Sequence, residues 1–70
     1  MTNDIREAAE TKIYEMACEV EAAYHGKNEF FSHKEALAMF DGMVSLAKAI
    51  GFDDDEISAI KRSAAYNWNN

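Results

Sequence analysis

Cys18, His25 and His33, with Glu21 and Glu29 nearby, are the residue types that serve as nucleophiles, general bases and metal ligands. Their spacing argues against that chemistry, because no pair stands at a zinc-finger or HExxH separation. Glu21 and His25 lie one helical turn apart and read as a surface pair, while His33 stands where a helix opens. The acidic run Asp53-Asp54-Asp55-Glu56 invites comparison with a cation site. A calcium loop, however, spreads its ligands over about a dozen residues and needs a glycine at its sharp turn. Negative charge in the first turn of a helix already has a cause in capping and in the helix dipole. The expectation is a non-enzymatic chain with no catalytic set, no cofactor site and no metal site, and binding is the class of function that remains.

Such residues need a scaffold, and 70 residues supply one domain, here residues 1–70. Small domains bury a modest fraction of their surface, and one cysteine excludes an intrachain disulfide, so stability must come from packing and self-association. The lone thiol, the lack of an apolar run near 18 residues and the lack of a charged-then-apolar leader point to a cytoplasmic protein outside the membrane. The formal net charge is −6. Six acids stand against Arg6 and Lys12 in residues 1–26, residues 27–51 balance, and residues 52–70 again carry an acidic excess. Nucleic acid and anionic membranes are therefore poor direct partners.

No segment alternates long enough to propose a strand, there is no proline, and a 3.6-residue apolar period runs through most of the chain. This predicts an all-α, compact three-helix bundle with helices over about 4–25, 33–50 and 54–67. Ile5, Ala9, Ile13, Met16, Val20, Ala23 and Tyr24 form the stripe of the first helix, and Gly26 ends it. Ser32-His33-Lys34-Glu35 is a capping box for the second, with Phe31 as a staple onto Ala36, and Gly51 is its stop. Asp53 and Glu56 repeat the device for the third, with Phe52 as a staple onto Ile57, and Ile57, Ile60, Ala64 and Trp68 give it a narrow stripe. Apolar residues cover about half the circumference of the second helix, which predicts that it is the central element, touching both others. Its other side carries a strip of small residues, Ala38, Gly42, Ser45 and Ala49, and the tail places Trp68 either as an anchor of the last turn or as a residue offered to a partner, the anchor being favoured. An up-down-up bundle and a steep crossing both fit the short links.

Leu46, Ala47, Ile50, Gly51, Phe52, Ile57 and Ile60 have a spacing that resembles the helix-turn-helix motif over sixteen residues. The resemblance implies a tight pairing of helices two and three. The positions that would meet DNA in such a motif read Asp53, Asp54, Asp55 and Glu56, which phosphates repel, and only Lys61 and Arg62 oppose them. No direct nucleic-acid binding is expected.

Tyr14 and Cys18 stand one turn apart among the acids of the first helix, on the side away from its apolar stripe. An aromatic among carboxylates suits contact with a basic surface. Glu7, Glu10, Tyr14, Cys18 and Glu21 are the expected partner-binding residues. The function so indicated is an acidic protein-interaction module, an inhibitor or accessory factor of phage or bacterial style acting on a basic surface of a nucleic-acid-handling protein. The alternatives are a helix-turn-helix-like transcriptional accessory protein and an oligomeric small-ligand binder. The surplus apolar surface of the second helix predicts a homo-oligomer, such as a homodimer, with Met39, Met43 and Leu46 at its interface.

Overall fold

The computed structural model describes residues 3–69. The chain is all-α: α1 spans Asn3–Tyr24, α2 His33–Ala49 and α3 Asp54–Asn69, and there is no strand among the described residues. The expected boundaries hold to within two residues. The third helix runs furthest past its expected end, carrying Trp68 inside its last turn.

Each boundary has a local cause. Gly26 (φ 72°) and Gly51 (φ 106°) sit in the left-handed region that side chains disfavour. Both close the same hydrogen-bonded helix ending. Gly26 N donates to Ala23 O (3.1 Å) and Lys27 N to Ala22 O (2.8 Å); Gly51 N donates to Lys48 O (3.1 Å) and Phe52 N to Ala47 O (3.0 Å). At the second ending the apolar contact usual for this motif is in place, since Ala47 and Phe52 are both buried. The capping box of α2 is complete, with Glu35 N donating to Ser32 Oγ (3.2 Å) and Ser32 N to Glu35 Oε1 (3.0 Å). Asp53 and Glu56 form its twin at α3, at 2.8 and 3.1 Å. Asn28 orders the first link: its Oδ1 accepts from Phe30 N and Phe31 N, and its Nδ2 donates to Glu19 Oε2 at 2.8 Å.

The helices run up, down and up. Arg6 near the start of α1 meets Glu56 at the start of α3, Tyr14 meets Asn67, and His25 just past α1 meets Trp68, so α1 and α3 are parallel. The middle of α1 faces the middle of α2 in the opposite sense, with Ala17 and Val20 beside Leu37 and Phe40, and Ala9 and Ile13 beside Met43 and Ala47. The core is Ile13, Met16 and Ala17 from α1, Ala36, Phe40 and Ala47 from α2, Phe52, and Ile57 and Ala64 from α3.

This arrangement corrects the expected centre. The central element is α1, which packs along both other helices, whereas α2 and α3 approach each other far less. Both sides of α1 are occupied: Ala9 and Ile13 lie beside Met43 and Ala47 of α2, while Thr11 and Tyr14 lie beside Ala59 and Ile60 of α3. The tight α2–α3 pairing implied by the helix-turn-helix resemblance is likewise not what the chain adopts. Of those spaced residues Ala47, Phe52 and Ile57 are buried, but Leu46 and Ile50 are exposed.

Candidate interaction surfaces

Around this frame the five expected partner-binding residues do not form one open face. Glu7 and Glu10 are exposed on α1. Tyr14 is half-buried, packs against the core and accepts a hydrogen bond through its Oη from Asn67 Nδ2. Glu10, Thr11 and Tyr14 line a shallow groove whose far wall is Ala59, Ile60 and Ser63 of α3. Cys18 packs against the core beside them. Glu21 lines a separate groove with Ala17, Val20, Leu37, Phe40 and Lys61, and its carboxylate lies 3.7 Å from His25 Nε2. Tyr14 turns toward α3, with Ala59, Ile60 and Asn67 beside it, on a side of α1 that sequence periodicity leaves free. What remains open of that face is a seam between α1 and α3 with Glu10 on its wall and exposed Glu7 one turn earlier on α1, an acidic seam in that sense.

The acidic run at the start of α3 has local duties. Asp53 caps the helix, Glu56 completes the box and pairs with Arg6, and Asp54 Oδ1 lies 2.6 Å from Lys48 Nζ. The guanidinium of Arg6 also lies over the Phe52 ring, 4.3 Å from its centroid. This knot ties the start of α1 to the Gly51 turn and the start of α3. Its hydrogen bond to Arg6, aided by that from Asp53 N, holds the Glu56 carboxyl below the usual carboxylate range, and the same pair raises Arg6. The Ser32 backbone and hydroxyl bonds lower Glu35 in the same way. Among the described residues, no three His, Cys, Asp or Glu side chains come together as a group that could hold a metal ion.

Opposite this seam, α2 carries an outward apolar row. Leu46 is 72% exposed, Met39 45% and Ile50 39%, with half-buried Met43 between them. Ile13, Ala9 and Lys12 of α1 and Ala47 and Ala49 of α2 join part of this row in a groove. The small strip beside it is exposed, and a Cβ added at Gly42 would meet nothing within 4 Å.

A third surface lies where α1 ends, α2 begins and α3 ends. The Tyr24 ring stands edge-on to His25 (5.2 Å between centroids) and to His33 (5.4 Å), and His25 stacks on Trp68 at 6.2 Å with 18° between planes. Sequence reasoning placed Tyr24 in the core stripe, yet it is exposed. Arg6, Asn28 and this ring cluster were missed as positioning groups. Asn28 offered a signal in its side chain, which suits a turn, but nothing local announces a contact between Arg6 and Phe52.

No family model matches the chain, nor does any curated protein or solved structure. The surfaces themselves therefore carry the functional reading.

Proposed function

We propose that this chain is a non-enzymatic interaction protein of the cytoplasm that pairs with a second copy through α2 and presents its acidic seam to a basic protein surface. In that role it would act as an inhibitor or accessory factor of a nucleic-acid-handling protein. The observation that supports this most is the row of exposed Met39, Leu46 and Ile50 with half-buried Met43 between them, large apolar side chains along one side of α2 on a small acidic chain. Rows of this kind commonly mark interfaces. The net charge of −6 and the exposed Glu7 and Glu10 support a partner of positive charge. No helix among the described residues is long and apolar enough to cross a membrane.

The test compares the wild type with Glu7→Lys/Glu10→Lys as bait for host proteins, each with and without nuclease treatment. Both positions are exposed, so helicity and melting should change little. The basic partner should be retained by the wild type after nuclease treatment and lost by the variant. Equal retention by both at low salt would remove the acidic seam from the proposal.

A further inference from the structure

The ring cluster is built from all three helices, and it leaves aromatic surface uncovered: Tyr24 is 67% exposed and Trp68 36%. A carboxylate adjoins it, since Glu21 lies against His25. Glu21 also lines the groove with Ala17, Val20, Leu37, Phe40 and Lys61, on the same stretch of α1 that ends at Tyr24, so its carboxylate is the acceptor between that groove and the rings. Exposed aromatic surface with an adjacent carboxylate matches one side chain in particular. Arginine has a planar guanidinium that stacks on rings and forks onto carboxylates, and a three-carbon stem that packs on apolar surface. Lysine satisfies the charge but not the stacking. The chain already makes such contacts within itself, with Arg6 over Phe52 and Lys61 Nζ 5.7 Å from the Phe40 centroid.

We infer that this aromatic end of the bundle binds arginine side chains of a basic protein segment. The inference rests on the reading of the partner as basic and adds where, and by which residue type, that partner is gripped. Tyrosine and tryptophan are the residues on which interface energy most often concentrates, while the acidic seam contributes attraction over a longer range.

Trp68 is the only tryptophan, so its emission reports on this surface alone. The full chain is titrated with an octa-arginine and an octa-lysine peptide, each labelled for anisotropy, in about 0.15 M salt. The arginine peptide should bind about three- to tenfold more tightly and shift Trp68 emission saturably. Tyr24→Ser and, separately, Trp68→Leu should each erase that preference, whereas Glu7→Lys/Glu10→Lys should weaken both peptides alike. Tyr24 is mostly exposed, so its variant keeps the test intact if Trp68→Leu unfolds. Equal affinity for the two peptides, or a preference that survives Tyr24→Ser, would overturn the inference while leaving a basic partner in place. Failure of both peptides to bind would overturn the basic-partner reading itself.

Discussion

Leu46→Glu puts a carboxylate into the middle of the outward row on α2. Leu46 is 72% exposed in the single chain, so most of its side chain is available for a second copy to cover. Complete burial of a leucine contributes about 1.5–3 kcal/mol, and the exposed share of that is roughly 1–2 kcal/mol. In a two-fold pair the residue is present twice, so the loss is about 2–4 kcal/mol, or roughly 30- to 1,000-fold in the dissociation constant. Within the single chain the same change should stay within about 0.5 kcal/mol, because the position is at the surface. The half-buried Met43, by contrast, would confound association with folding if replaced by a charge. Sedimentation equilibrium on both proteins is the assay, with circular dichroism melting of dilute samples as the folding control. A wild type that sediments as a 7.9 kDa monomer at concentrations on the order of tens of micromolar would refute the pairing. So would an association constant that Leu46→Glu leaves unchanged.

Gly42→Ala should stabilise the dilute chain by about 0.5–1 kcal/mol, because glycine disfavours a helix interior and the new methyl meets no atom. A lowered melting temperature in dilute solution would contradict the open surroundings of Gly42. The carboxyls of Glu56 and Glu35 titrate below their unfolded range, so their stabilisation is full above that range and is lost as pH falls through the folded values. The stability gap between the wild type and Glu56→Gln should therefore narrow on acidification through roughly pH 4, and urea melts that show a constant gap from neutral pH downward would contradict the Arg6 pairing. Duplex DNA should give no gel shift at physiological ionic strength, given Asp53 to Glu56 at the start of α3. Tight, salt-sensitive binding would reinstate the helix-turn-helix reading.

The helix boundaries were legible because each depends on a few adjacent residues. Ser32 with Glu35, Asp53 with Glu56, Gly26 and Gly51 declare their roles over four or five positions, and every one of them does what that local chemistry dictates. The packing was less legible because periodicity measures apolar surface and takes no account of how closely two backbones can approach. Helix α2 has the widest apolar arc, which suggested the centre of the bundle, but part of that arc, from Met39 to Ile50, faces outward. Helix α1 takes the centre because α3 lies against a second side of it, where Thr11 and Tyr14 add little to an apolar stripe. Tyr14 therefore looked like a contact residue on an acidic face, although its ring packs against the core and its hydroxyl is bonded to Asn67.

The change of centre alters how the surfaces relate. With α1 in the middle, the groove on the row of α2 draws Ala9, Lys12 and Ile13 from one side of α1, while the acidic seam draws Glu10, Thr11 and Tyr14 from the other. On the proposed pairing a second copy seated on α2 would meet the Ala9 and Ile13 side of α1 and not the Glu10 and Tyr14 side. Had α2 been central, self-association and partner binding would have competed for the same helix. The proposed pairing would instead present the acidic seam and the aromatic end twice within one assembly, and a basic partner with two suitably spaced segments would gain effective concentration from the second contact. On this argument Leu46→Glu should weaken binding to an extended basic partner while leaving binding of a short arginine peptide unchanged, since the short peptide occupies one copy at a time.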